Sequence, residues 1–313
     1  MPQASAPAKL ILCGEHAVVY GRPAIAAPLA DVRAYAEVAS APPGAGLRFH
    51  APDLGEDWAA AEQPDHPLSE LARGALARFG ARGADLAVTL RSNIPIASGM
   101  GSGAAIGTAL VRALAAHCGA APGPDEVAEL VYASERRYHG TPSGIDNTVV
   151  AHERAIWFVR GDPPAIVPVA VGAPLALLVG DTGVRSATRL PVGAVRERWQ
   201  ADRAGYEALF DAVGGLVARA RAALAAGDGP ELGRLLDANQ ALLERIGVSS
   251  PELGRLVAAA RGAGALGAKL SGAGWGGVML ALVTPGAAPA VAAALREAGA
   301  ARVLPATLAA DPV

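Results

Sequence analysis

The stretch from Asn93 to Ala105 constrains this chain more than any other. It reads Asn-Ile-Pro-Ile-Ala-Ser-Gly-Met-Gly-Ser-Gly-Ala-Ala, with three glycines in five residues. Before it, Asp85 to Arg91 alternates apolar and polar residues, the pattern of a half-buried strand. After it, an Ala/Leu run extends to Cys118 with only Gly107 as a breaker, the pattern of a helix. Strand, glycine turn and helix in that order aim the first free N–H groups of the helix at whatever lies in front of them. Glycine also lets the backbone come close to an anion. The stretch is neither G-x-x-x-x-G-K-[ST] nor G-x-G-x-x-G, so it is not a Walker loop or a dinucleotide fingerprint. Taken alone it fits a phosphate cradle and a tight packing of small residues equally well.

Around this unit the chain reads as α+β, with strands and helices alternating irregularly. Strands are expected at Lys9–Cys13, Val32–Val38, Leu47–Phe49 (pairing with Val32–Val38), Ala155–Val159, Leu175–Val179, Ala268–Ser271, Val278–Val283 and Ala301–Leu304. A hairpin is expected over Val18–Pro28 and a surface loop over Ala51–Pro67. Helices are expected at Leu68–Phe79, Ala104–His117, Asp125–Tyr138, Val195–Ala226, Glu231–Ile246, Pro251–Ala263 and Ala287–Ala298. A second half begins near Gly172, giving two domains, 1–172 and 173–313. No internal repeat is seen.

Bulk properties exclude several classes. Net charge is −2 with pI about 6.3, so there is no basic excess to hold nucleic acid. No stretch of about 18 apolar residues runs uninterrupted, so no membrane span is expected. Cys13 and Cys118 form no framework and no metal spacing. They read as reduced core residues, and with no signal peptide at the N-terminus the expected setting is the cytoplasm.

Polar residues that fit no core pattern gather in four places. Lys9 opens an apolar strand that ends at Gly14-Glu15-His16. The glycine stretch is the second. Glu135 near the end of a helix and Asp146 in a Gly/Pro loop are the third, suited to a magnesium ligand and a base that orients a hydroxyl. The fourth is Lys269-Leu270-Ser271-Gly272-Ala273-Gly274-Trp275-Gly276-Gly277, where four glycines in six residues exceed what a hairpin needs. A loop pressed against a ligand would explain the excess. Together these form a phosphoryl-transfer set without a Walker or protein-kinase signature.

These residues resemble the GHMP small-molecule kinases, and within them the mevalonate kinases. Three blocks occur in the family's order: Ala6-Pro7-Ala8-Lys9 through Gly14-Glu15-His16 to Gly21, Pro95 to Ala105, and Lys269 to Gly277. His139 to Asn147 and Asp181 to Thr188 resemble two further family segments, so the likeness spans nearly the whole chain. It implies two α+β domains with the active site in the cleft between them. The reaction implied is ATP- and Mg²⁺-dependent phosphorylation of the 5-hydroxyl of mevalonate, a step of isoprenoid precursor synthesis. By the same resemblance, Asp146 acts on the acceptor hydroxyl and Lys9 lies close to that Asp and to the transferred group. Pro95, Ser98, Gly99, Met100, Gly101, Ser102, Gly103 and Ala104 hold the nucleotide phosphates. Glu15, His16, Thr188, Gly272 and Ala273 face the acceptor, and Glu135 binds Mg²⁺. Dimerisation is common in the family.

One departure of the glycine stretch from the family matters; the block's Pro-x-Gly-Ala opening is also altered, with Ala97 and Ser98 standing in its place. Relatives read Gly-Leu-Gly-Ser-Ser-Ala, whereas this chain reads Gly-Met-Gly-Ser-Gly-Ala. The second hydroxyl is missing at Gly103, leaving Ser102, water, or Glu135 with the phosphates alone to hold the metal. Galactokinases carry Gly-Glu-His-Thr-Asp where this chain has Gly-Glu-His-Ala-Val. The Lys-Tyr-Trp-Gly-Lys of diphosphomevalonate decarboxylases is absent, and homoserine kinases lack a counterpart of Asp146. A phosphomevalonate kinase would need added cations, and near the substrate segment there are only Arg185 and Arg189. A silent nucleotide-binding regulator would have lost Lys9, Glu135 or Asp146; all three are present.

Overall fold

The computed structural model describes all residues except 1, 96–98, 140–143, 186–188 and 312–313. The chain forms two compact units that interleave in sequence. The first comprises Met1–Ala8, Val32–Ile96 and Gly101–Glu153; the second comprises Lys9–Asp31, Ala97–Met100 and Arg154–Val313. Residue 172, where a second half is expected to begin, lies inside the second unit. Two long strands, β1 (Gln3–Cys13) and β2 (Ala24–Ser40), pair with each other and pass through both units.

In the first unit, β2 pairs antiparallel with β5 (Leu86–Ser92), which pairs parallel with β3 (Leu47–Ala51), which pairs antiparallel with β4 (Glu56–Ala59). The strand at 47–51 therefore lies beside β5 and not beside β2 as expected. The expected loop over Ala51–Pro67 also contains β4, where Trp58 stacks on Phe49 at 4.7 Å. A lone aromatic among acidic residues gives little alternation to read. Helix α1 (Pro67–Arg78) connects this hairpin to β5 and packs on α2 (Ser102–His117). Helices α3 (Pro124–His139) and α4 (Ile145–His152) pack on α2 and on each other. Gly107 of α2 lets α1 pack closely: a Cβ there would lie 3.1 Å from the Leu71 side chain of α1, which would have to shift by a few tenths of an ångström.

In the second unit, the start of β2 pairs with β6 (Ile156–Val159), and β6 with the edge strand β7 (Ala165–Pro168). Val18–Pro28 is not a hairpin. Ala17–Tyr20 forms one 3-10 turn, and the chain then enters a single 17-residue strand. Gly14 makes that entry possible: at φ +105° its missing Cβ would lie 2.5 Å from Ala24 Cα and from the Pro23 carbonyl. A separate antiparallel sheet has the order β11 (Arg302–Leu308), β8 (Leu175–Asp181), β10 (Val278–Val283), β9 (Gly267–Ser271). Its helices are α5 (Arg189–Ala201), α6 (Arg203–Ala226), α7 (Gly229–Ile246), α8 (Pro251–Gly262) and α9 (Ala288–Glu297). The helix expected over Val195–Ala226 is two, because Asp202 caps a new start by accepting from Gly205 N at 2.9 Å.

Side chains seal the outer edge of β9, which would otherwise expose a row of backbone groups. Asp237 accepts from Ala268 N (2.8 Å) and Gln240 from Leu270 N (2.9 Å), both from α7. Arg261 of α8 donates to the Ala268 carbonyl (2.9 Å), and Lys269 Nζ donates to the Leu270 carbonyl. Among the described residues no helix is long and apolar enough to cross a membrane. Cys13 is buried, Cys118 is half-buried rather than in the core, and both are free thiols.

Candidate functional site

The candidate residues fall into two groups, one in each unit. In the first unit the group is built on helix ends. Gly101 stands at the N-cap of α2 at φ +70°, and no side chain caps the helix. Ser102, Gly103 and Ala104 form its first turn, so their N–H groups have no intrahelical acceptor and face forward. Neither Gly99 nor Gly103 has a heavy atom within 4 Å of where a Cβ would point. Gly99 is explained by its φ of +80°; at Gly103 no packing constraint requires glycine, and the open approach suits an anion. Pro95 is buried just ahead of the turn.

Glu135 is half-buried on the last part of α3. Asp146 is in the first turn of α4, not in a loop as expected. The Gly/Pro composition of 140–144 masks the helix start, and the cap is Gly144 at φ +82°. The next residue, Asn147, is buried and fixes α4 by donating to the Ala128 carbonyl of α3 at 3.1 Å. In the sequence, only its place beside Asp146 marks Asn147.

In the second unit the group joins the first and third glycine blocks. Lys9 is buried, and its backbone N–H donates to the Met100 carbonyl at 3.0 Å. That bond ties the first block to the glycine stretch. Glu15 is 1% exposed and its Oε1 pairs with the Nζ of Lys269, which is fully buried. His16, at φ +60°, donates Nε2–H to the Ala273 carbonyl at 2.9 Å; a carbonyl can only accept, so this fixes the tautomer. Burial holds the His16 imidazole down to a pKa of about 4, keeping it neutral, and pushes the Cys13 thiol up to about 12. Burial also pushes the Glu15 carboxyl up, and the Lys269 ammonium opposes that rise.

The third block is only partly open. A Cβ on Gly274 would meet the Val248 carbonyl at 2.0 Å, and one on Gly276 would meet the Val184 carbonyl at 2.7 Å. Neighbouring backbone, rather than a ligand, accounts for those two. Gly272, at φ +99°, faces open space and Ala273 carries the bond to His16.

In the substrate-like segment Asp181 is buried and takes both arms of Arg185, at 2.9 and 3.0 Å. Burial pushes the Asp181 carboxyl up, but Arg185 and the Gly183 N–H outweigh it and leave it below the usual range. Ser98 and Thr188 lie outside the described residues.

Two family models match the chain: "GHMP kinases N terminal domain" over residues 68–153 and "GHMP kinases C terminal" over residues 220–301. The mevalonate kinase of Thermococcus sibiricus is 35% identical over 316 residues, covering 95% of this chain and 93% of its own. The solved L. major mevalonate kinase in complex with R-mevalonate superposes with a TM-score of 0.87 at 29% identity. That match covers 100% of this chain and 97% of the other. The Streptococcus pneumoniae phosphomevalonate kinase, solved with phosphomevalonate and AMPPNP, gives a TM-score of 0.80 at 18% identity, over 97% of this chain and 100% of its own. At that identity the likeness is one of fold.

Proposed function

The chain belongs to the mevalonate kinase branch of the GHMP kinase family, and from that premise we propose that it transfers the γ-phosphoryl group of ATP to the 5-hydroxyl of mevalonate. The nucleotide phosphates lie against the uncapped first turn of α2, where backbone N–H groups and the helix dipole favour anions. Asp146 orients the acceptor hydroxyl or takes its proton, and Lys9 offsets the charge that develops on the transferred group. His16, held neutral, offers Nδ1 as an acceptor toward the mevalonate end. Thr188, Gly272 and Ala273 belong to the same end.

The residues suit Mg²⁺ as the partner of ATP. Glu135 and Asp146 are hard oxygen donors, and no group of three or more potential ligands occurs among the described residues. Mg²⁺ commonly rests on one or two carboxylates with phosphate oxygens and water making up the rest. When bound, it would neutralise phosphate charge. A homodimer and a cytoplasmic setting belong to the same reading, the second supported by two unpaired cysteines.

The observation that carries the substrate choice is Arg185. A phosphorylated acceptor calls for free cations, and of the two near this segment the guanidinium of Arg185 is already spanned by the Asp181 carboxylate, which leaves Arg189. The test is ADP release measured in parallel with mevalonate, phosphomevalonate, homoserine and galactose. Turnover with mevalonate is expected; turnover with phosphomevalonate alone would overturn the assignment. Asp146→Asn should lose turnover while binding ATP within a few-fold of wild type. Near-normal turnover in that variant would remove Asp146 from the mechanism.

A further inference from the structure

We propose that Lys269 is a positioning residue: its ammonium holds the Glu15 carboxylate, and through it the His16 ring, in register with the third glycine block. Among the described residues, three residue pairs join the first block to the third across more than 250 residues of chain. Ser271 Oγ accepts from Ile11 N and donates to the Ile11 carbonyl, both at 3.0 Å. Lys269 pairs with Glu15, and His16 donates to the Ala273 carbonyl. Of these three, the middle one is an ion pair, and both its members are at most 1% exposed.

Stability alone does not account for that pair. Two apolar side chains of similar volume are commonly as stable as a buried ion pair, or more so. What the pair adds is position. Lys269 Nζ is itself fixed by the Leu270 carbonyl on the sealed edge of β9. The other Glu15 oxygen, Oε2, is buried without a hydrogen-bond partner among the described residues, and Lys269 is the largest favourable influence on the carboxylate, ahead of Glu15's own backbone N–H and the Lys9 charge. The next residue is His16, at φ +60° and ψ −50°, a positive-φ conformation that strains a non-glycine residue. A strained residue keeps its conformation only while its neighbours over-determine it. Without Lys269, the Glu15 carboxylate must protonate or leave the interior, and His16 is freed to relax with it.

For its kinetic readout the proposal rests on the mevalonate kinase reading; for its spectroscopic readout it does not. Lys269→Met, and the neutral pair Glu15→Gln/Lys269→Met for use if the single variant fails to fold, are compared with Glu15→Gln and wild type. Long-range ¹H–¹⁵N spectra, with His16 assigned through His16→Gln, should show one Nε2–H tautomer in wild type. Lys269→Met and the neutral pair should both lose that single-tautomer signature. In turnover, the KM for mevalonate should rise about tenfold or more while the KM for ATP stays within twofold, since a merely unfolded fraction would lower kcat and leave both KM values alone. The neutral pair should be no worse than the worse single variant, because coupled residues are not additive. An unchanged His16 signal, equal changes in both KM values, or losses that multiply in the double variant would each overturn the proposal. If wild type fails to phosphorylate mevalonate but the His16 signal still depends on Lys269, the function reading falls and the positioning role stands.

Discussion

At the scale of the residue, the most informative position is Gly103. It lies in the first turn of α2 with helical backbone angles and nothing within 4 Å of its missing Cβ. Neither conformation nor space requires glycine there. Serine is the better helix former by roughly 0.5 kcal/mol, so Gly103→Ser should leave the melting temperature unchanged or slightly raised. It also restores the hydroxyl that relatives carry at this place. Half-saturation by Mg²⁺ should then shift to lower concentration, measured by turnover at fixed ATP. An unchanged Mg²⁺ curve would mean that carboxylate, phosphate and water already suffice. Gly14 is the opposite case: φ +105° and two backbone atoms at 2.5 Å leave no alternative to glycine.

At the scale of the element, the sealed edge of β9 carries the load. Asp237 accepts from Ala268 N and also pairs with Arg261, which in turn donates to the Ala268 carbonyl. Asp237→Ala removes both supports and leaves a buried N–H without an acceptor. That should cost about 1–3 kcal/mol, read as a lower urea midpoint with the slope unchanged. A midpoint equal to wild type would show that water replaces the carboxylate there. Elements with strong local signals were legible in the sequence: β10 was read to the residue, and α7 and α8 to within two residues, because their caps and periodicity agree. Elements decided by partners were not. The long strand β2 contains a proline, Pro28, and a charged patch at Asp31 and Arg33, β4 shows no alternation, and the pairing of β3 with β5 depends on a crossover that no local pattern encodes. Among the site residues, the loop-like composition around Asp146 concealed a helix start. Lys269 was visible in its block, but its buried pairing with Glu15 was not.

At the scale of the whole molecule, the buried titratable groups set the pH response. His16 has its pKa held down to about 4 from the usual 6.5. A depressed value means the folded state resists protonation, so the stability it contributes is full above about pH 6.5 and is lost as pH falls toward 4. At 1.36 kcal/mol per unit, the loss is about 3 kcal/mol. Asp181, also depressed, adds a loss of the same sign at lower pH. Glu15, pushed up, works in the opposite sense, and Lys269 is the cation facing both Glu15 and His16. His16→Gln should therefore flatten the fall in urea midpoint between pH 6.5 and 4. A variant curve parallel to wild type over that range would show that another group titrates there.

The interleaving of the two units also bears on synthesis. Glu15 leaves the ribosome 254 residues before Lys269. At about 5–20 residues per second, that is an interval of roughly 13–50 s. Throughout it the carboxylate lacks its hydrogen-bonded ammonium partner and has only the weaker charge of Lys9, and burying it without Lys269 would cost several kcal/mol. The N-terminal segment should therefore stay out of the interior of a nascent chain, with Cys13 open to thiol reagents, until the third glycine block has been made; a Cys13 already protected in chains stalled before Lys269 would overturn this. The ion pair that aligns His16 in the finished protein thus also marks, for a growing chain, the point at which the second unit can close.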